Sequence, residues 1–317
     1  MFTLVVEDTF IWNQVELIGF LVQNQKKDII LTLQGEGPSA KAIGLYDLLD
    51  QFNFSSVTIL TANAIEHHPK YKIKITTNIW STVNKSINSE FHIWNQNKLF
   101  GAFYGRPRWH RIGLASYMKI HHDDISLINI RGKHKDEDDR RAFGIDTLFN
   151  YAPTQLSNFT KIYHQFPMII EQFDRYRPGK DNGTDEFTSP LVEFYKDIFI
   201  DVVAETYTNG ECFFPTEKTF RPILMKKPFI IMGTKNHLHY LRQMGFKTFN
   251  QFWSEDYDPQ WPPDKFTKIL QLLDKLAIMN KNDLYNMYQS MQEILDYNYQ
   301  LLLSRRFNLQ LAPLYEQ

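Results

Sequence analysis

Cysteine is almost absent: Cys212 is the single thiol in 317 residues. One thiol excludes an intrachain disulfide and a cysteine-based zinc site, and it points to a reducing compartment. Net charge of one sign is also missing. With 35 basic and 36 acidic residues the formal charge is −1, which argues against a general nucleic-acid-binding surface, although a local basic patch remains open. No run approaches the ~18 apolar residues that read as a membrane span, and Met1-Phe2-Thr3 lacks the basic start of a signal peptide. The expectation is therefore a soluble, cytoplasmic protein. There is no internal repeat, no low-complexity tract and no G-x-G-x-x-G fingerprint. His67-His68 and His121-His122-Asp123-Asp124 offer metal-ligand chemistry. Adjacent residues rarely face one ion, however, and no His-x-x-x-His spacing occurs, so no metal is expected.

What is present is apolar bulk. At 43% hydrophobic and 15% aromatic content, the chain can bury one large or two ordinary cores. The most informative stretch is 198–249. Ile198-Phe199-Ile200-Asp201-Val202-Val203 reads as a buried strand, followed by a polar loop from Glu205 to Pro215. Thr216-Glu217-Lys218 then opens a short helical pattern. Pro228 to Met232 is a second strand ending at Gly233, and Asn236 to Met244 is a helix stopped by Gly245. Strand, loop, helix, strand is the grammar of a parallel sheet, whose ligands bind beyond the carboxyl ends of the strands. Thr216 is a candidate N-cap where free N–H groups favour anions, and Lys218 is a mobile cation for phosphate oxygens. Glu205 and Glu217 are acceptors for ribose or sugar hydroxyls. On spacing alone the same motif reads first as a helix cap with a Glu217–Lys218 ion pair.

Earlier in the chain, Phe2–Val6, Asp28–Leu33 and Val57–Thr61 read as strands. They alternate with helical patterns at Trp12–Val22 and Ala40–Phe52. Gly35-Glu36-Gly37 follows the second strand as a tight turn, and Glu66 follows the third. Leu99 to Tyr104 reads as another strand. Gly105-Arg106-Pro107-Arg108-Trp109-His110-Arg111 then leads into a helix over 112–120, which makes a candidate anion site. The competing reading pairs those arginines with the acidic run Asp136–Asp139. Charged residues 133–141 suit a solvated face, and 175–189 a loop. Two helices are expected over 264–306, separated near Asn280.

Three segments together resemble the donor-binding signature of the α-1,3/4-fucosyltransferases. These are Val203-Ala204-Glu205-Thr206, the run Pro215-Thr216-Glu217-Lys218-Thr219-Phe220-Arg221-Pro222-Ile223-Leu224, and Lys227-Pro228-Phe229-Ile230-Ile231-Met232-Gly233. The departures are Thr206 for the family's Asn, Phe214 near its Tyr, and Pro222 within the helix. The likeness covers about a third of the chain as a pattern. It implies a GT-B-like α/β fold, two Rossmann-like domains facing across a cleft, with an acceptor-side domain over 1–97 and a nucleotide-sugar domain over 98–317. Arg111, or Arg108, matches the arginine that opens the family's nucleotide-binding domain. The implied activity is inverting transfer of a fucose-like sugar from a nucleotide-diphosphate sugar, GDP-linked, to a carbohydrate or glycoconjugate hydroxyl, with no obligatory metal. Arg111, Arg108, Glu205, Thr216, Glu217, Lys218 and Arg221 fall on the donor side, and Glu36 or Glu66 is the candidate base. A non-catalytic carbohydrate- or nucleotide-binding module and a nucleic-acid-modifying protein are the alternatives.

Overall fold

A computed structural model describes residues 2–6, 14–33, 39–76, 92–130, 145–170, 191–304, 306 and 311. Glu36, the acidic run 136–139 and the expected loop at 175–189 lie outside the described residues.

Among the described residues, two parallel four-stranded sheets organise the chain. The first runs β1 (Phe2–Val6), β2 (Asp28–Leu33), β3 (Ser56–Thr61) and β4 (Lys72–Ile75), with neighbours in sequence also neighbours in space. In β2 and β3 buried and half-buried residues alternate, as the two-residue period of a strand requires. Ile29, Leu31, Leu33, Val57 and Ile59 form the buried face. It packs with Leu17 and Leu21 of α1 (Gln14–Gln23) and with Leu45 and Leu49 of α2 (Leu45–Leu49).

The helix expected over 40–52 is much shorter. Gly44 adopts φ 74°, a left-handed conformation at the residue before Leu45, so the chain makes turns before α2 instead of one continuous helix. β4 escaped the sequence reading because Lys-Ile-Lys-Ile puts lysine on alternate positions, a pattern suited to a charged edge strand.

The second sheet has the order β6-β5-β7-β8. Its strands are β5 (Lys98–Tyr104), β6 (Ser126–Ile130), β7 (Ile198–Ala204) and β8 (Phe229–Met232). Every residue of β7 and β8 is buried, which is why they read as unbroken apolar runs: a parallel sheet is covered on both faces. α3 (Trp109–His121) connects β5 to β6, and α6 (Glu217–Leu224) connects β7 to β8. Between them in sequence lie α4 (Pro153–Ile162) and α5 (Leu191–Phe194).

β5 leads through α3 to β6 on one side, and the chain then returns past β5 to β7 and β8 on the other. The carboxyl ends of β5 and β7 therefore flank a topological switch point, the place where an open α/β sheet leaves a crevice.

α3 begins at Trp109, earlier than expected, so Arg108 is its N-cap and Arg111 lies in its first turn. α6 begins directly after Thr216 in spite of Pro222. The proline falls near the helix end, where only one backbone bond is lost. α7 (His237–Met244) ends at Gly245 as read. The C-terminal segment contains three helices where two were expected: α8 (Pro262–Ala277), α9 (Lys281–Ser290) and α10 (Gln292–Ser304).

The two sheets keep largely separate apolar clusters, but Ala64, Ile65 and Ile75 pack with the second, and Ala62 clusters with Cys212, Phe214 and Tyr207 of the loop after β7. The loop after β3 is hydrogen-bonded to the loop after β7: Ala64 N donates to Phe213 O at 3.0 Å, and Phe213 N to the Asn63 side chain at 2.8 Å. Gly210, at φ 81°, turns that second loop against Ala42.

Candidate functional site

Residues 204–206, where β7 runs out, form the centre of the site. Arg111 donates from Nη2 to the carbonyls of Ala204 (3.1 Å) and Glu205 (3.3 Å), and from Nη1 to Arg106 O at 3.2 Å. Arg108 donates from Nη1 to Thr206 O at 2.9 Å. Lys218 approaches from the other side, with Nζ 3.4 Å from the Thr206 hydroxyl, 3.1 Å from that of Thr216 and 2.7 Å from Glu217 Oε1. Arg108, Arg111 and Lys218, from two different crossover connections, thus surround one three-residue segment at the switch point. Arg111 is buried, with its guanidinium spent on β7 carbonyls; Arg108 and Lys218 are only partly buried. In this geometry Arg111 shapes the site, and Arg108 and Lys218 are the cations nearer its surface.

Thr216 is the N-cap of α6, its hydroxyl accepting from Lys218 N at 3.2 Å. Glu205 is the second anchor of this helix start. Its carboxylate accepts from Thr216 N (3.0 Å), Thr216 Oγ1 (2.7 Å), Thr219 Oγ1 (2.6 Å) and its neighbour Thr206 N (3.3 Å). Sequence reading placed Glu205 against sugar or ribose hydroxyls. The structure directs both of its oxygens to the chain's own threonines, so its observed work is to hold the loop onto α6.

Glu217 pairs with Lys218 at 2.7 Å. Burial pushes its carboxyl up, but Lys218, with Arg221 behind it, outweighs burial and holds it below the usual range. The cap and the ion pair read from spacing are therefore both present.

Arg221 turns away from this cluster. Its Nε donates to the Tyr195 hydroxyl at 2.8 Å, and Tyr195 in turn donates to Asp201 in a short contact. Burial raises the Asp201 carboxyl to about 6, against the opposing pull of Arg221 and Tyr195. This buried group ties α6 to β7 beneath the switch point. Tyr195 lies 6 positions from Asp201 and 26 from Arg221, and Asp201, a charged residue inside an apolar strand, was the legible sign of the group.

His110 was read as part of a basic turn. It is buried in the first turn of α3 with Nε2 2.8 Å from Glu205 O. A carbonyl can only accept, so Nε2 carries the proton and Nδ1 is the bare nitrogen. Burial, reinforced by Arg111, keeps the ring well below its ordinary pKa, so it is neutral.

On the first sheet, Glu66 lies past the carboxyl end of β3. It accepts from Tyr46 Oη (2.5 Å) at Oε1, and from Ala40 N (3.0 Å) and Asn63 Nδ2 (2.8 Å) at Oε2. Burial raises its carboxyl above the usual range, although these three hydrogen bonds oppose the shift. A carboxylate with a raised pKa and a partly exposed side chain is chemically suited to accept a proton. Asn63, which no motif singled out, joins this group to the second sheet by donating to Glu211 O at 3.1 Å.

Among the described residues no cluster of three or more His, Cys, Asp or Glu side chains is placed to hold a metal ion. His122, one of the residues tested for that role, instead faces Asp274 at 2.9 Å. No helix among the described residues is long and apolar enough to cross a membrane.

No protein-family model matches the chain, and no curated protein matches it.

Proposed function

We propose that the chain is an inverting glycosyltransferase of the GT-B type. It binds a nucleotide-diphosphate sugar, GDP-linked by resemblance, at the switch point of the second sheet. The acceptor hydroxyl is met from the first sheet, and the α-1,3/4-fucosyltransferases are the family whose donor signature the sequence resembles. The observation that carries this reading is the gathering of Arg108, Arg111 and Lys218 around residues 204–206 at the carboxyl ends of β5 and β7. Two helix N-termini, those of α3 and α6, open on the same strand ends, where the helix dipoles favour a diphosphate.

In the proposed reaction the acceptor oxygen attacks the anomeric carbon as the bond to the diphosphate breaks. The electron pair leaves on the diphosphate oxygen, where Arg108 and Lys218 meet the developing charge. The hydroxyl proton passes to the carboxylate of Glu66, held by Tyr46, Asn63 and the Ala40 N–H. Glu217 is the donor-side carboxylate with an exposed portion, suited to a ribose or sugar hydroxyl. Glu36 belongs to the same proposal as the alternative base.

A second reading has its own support. Lys218 is already satisfied by Glu217 and two threonine hydroxyls, a state compatible with a module that binds a nucleotide or carbohydrate without turnover.

A thermal-shift screen of nucleoside diphosphates and nucleotide sugars, followed by assay of diphosphate release, separates the two. A ligand at about 100 Kd should stabilise the chain by ~2.7 kcal/mol. Stabilisation with release supports the transferase. Stabilisation without release supports the binding module, and neither effect from any nucleotide contradicts both.

A further inference from the structure

The amide of Asn63 is fully buried and every one of its hydrogen-bonding positions is used. Oδ1 accepts from Phe213 N at 2.8 Å and from Ile65 N at 3.4 Å. Nδ2 donates to Glu211 O at 3.1 Å and to Glu66 Oε2 at 2.8 Å. Ala64 N adds a backbone bond to Phe213 O at 3.0 Å. One side chain thus stitches the loop after β7 to the loop after β3 as a strand partner would, and its remaining hydrogen reaches the Glu66 carboxylate. The loop it grips is continuous with Glu205–Thr206 on one side and with Thr216–Lys218 on the other.

We propose that Asn63 is a positioning residue that makes the Glu66 carboxylate and loop 211–213 one mechanical unit, so that the loop carrying the nucleotide-side residues also sets the place of the base. The inference rests on the transferase reading for its functional meaning and on the hydrogen bonds alone for its structural one. Geometry favours this clasp over the other link nearby, the Lys41–Glu211 ion pair at 3.3 Å, whose side chains are both exposed and therefore worth little.

The groups facing Glu66 are Tyr46 from α2, the Ala40 N–H, Asn63 itself and, at longer range, Glu211. Tyr46 and Asn63 each donate one hydrogen bond to the carboxylate, but only Asn63 also holds the loop. That difference defines the test. In Tyr46→Phe one hydrogen bond to Glu66 is lost and the clasp remains. In Asn63→Ser both are lost. Asn63→Asp keeps the shape while turning an oxygen toward two acceptors.

The measurement is the Glu66 titration by carbon-13 NMR of side-chain-labelled glutamate, assigned with Glu66→Gln. It is run beside amide hydrogen exchange at Phe213 and Ala64. All three variants should raise the Glu66 midpoint, because a bond to the ionised form is gone. Only the Asn63 variants should also speed exchange at Phe213 and Ala64. In a transfer assay the acid limb of the pH profile should move upward with the Glu66 midpoint in every variant. On the plateau above it, the two Asn63 variants should lose about tenfold in kcat, the weight of a ~1.4 kcal/mol placement error, with donor KM little changed, while Tyr46→Phe keeps the native plateau.

Exchange at Phe213 unchanged in both Asn63 variants, or a Glu66 midpoint that ignores them, overturns the proposal. If the titration and exchange behave as expected while no nucleotide sugar is consumed by the native chain, the clasp stands and the transferase reading falls. Should Asn63→Ser fail to fold, the isosteric Asn63→Asp carries the same comparison.

Discussion

Arg108 and Lys218 meet at Thr206: the guanidinium donates to its carbonyl at 2.9 Å, and the ammonium lies 3.4 Å from its hydroxyl. The two cations come from different crossover connections and are 110 positions apart in sequence. Their common contact is the second residue beyond β7, the position from which a diphosphate at the switch point would be held. On binding, Lys218 must exchange part of its bond with Glu217 for the ligand. The gain is therefore set by how much better a diphosphate competes than one carboxylate and two hydroxyls.

Lys218→Ala accordingly weakens a nucleoside diphosphate more than the matching nucleoside, since only the first carries the charge. A charge-assisted bond of about 1.5–3 kcal/mol corresponds to a loss of roughly ten- to a hundredfold in affinity. Calorimetric titration of both ligands into both proteins measures it. Equal losses for the two ligands would remove Lys218 from the phosphate site.

Glu205 makes the opposite prediction, for stability. Replacing it by Ala leaves Thr216 N, Thr216 Oγ1 and Thr219 Oγ1 without their acceptor in a buried place. Unsatisfied buried donors cost about 1–3 kcal/mol each, so the variant should lose at least ~3 kcal/mol in urea unfolding. A variant of native stability that loses only sugar-nucleotide affinity would return Glu205 to the ligand-contacting role that the sequence suggested.

How much of this was legible in sequence follows a physical line. β7 and β8 were readable because strands buried on both faces are apolar throughout, and α7 because Gly245 marks its end. Thr216 was readable because a cap acts within three residues. By contrast, β4 is half lysine, and the break before α2 depends on the left-handed φ of a single glycine, Gly44. The groups that complete the site were not legible either. His110 meets Glu205 across 95 positions and Phe213 meets Asn63 across 150. Such pairings are created by the order of strands in the sheets and leave no local pattern.

Asp201 gives a pH signature independent of any ligand. Its carboxyl is raised from 3.8 to about 6 by burial, partly opposed by Arg221 and Tyr195. The folded state therefore holds this proton after the unfolded state has lost it. Its contribution to stability is full below about pH 4 and declines as pH rises to about 6, by about 3 kcal/mol in total. Asp201→Asn removes that decline, so the stability difference between variant and native protein should shift in favour of Asn by about that amount from pH 4 to 7. Parallel stability curves for the two proteins would show that Asp201 does not titrate in this range.

Glu66→Gln separates binding from chemistry. As the proposed base, Glu66 should account for about 10² to 10⁴ in turnover, while nucleotide affinity survives its replacement. Because burial raises its carboxyl, native activity should fall as pH drops through a midpoint above the ordinary glutamate range. Glu36→Gln is the companion variant: near-normal turnover in Glu66→Gln together with loss in Glu36→Gln would move the base to the Gly35–Gly37 turn.

The central claim is that a nucleotide diphosphate binds where β5 and β7 end, and amide NMR with added guanosine diphosphate tests it most directly. The account predicts saturable shifts concentrated in residues 105–111 and 204–218, reduced in Lys218→Ala, with strand residues 28–33 of the first sheet unmoved. Saturable shifts confined to any other region, or no shifts at millimolar nucleotide, would contradict it.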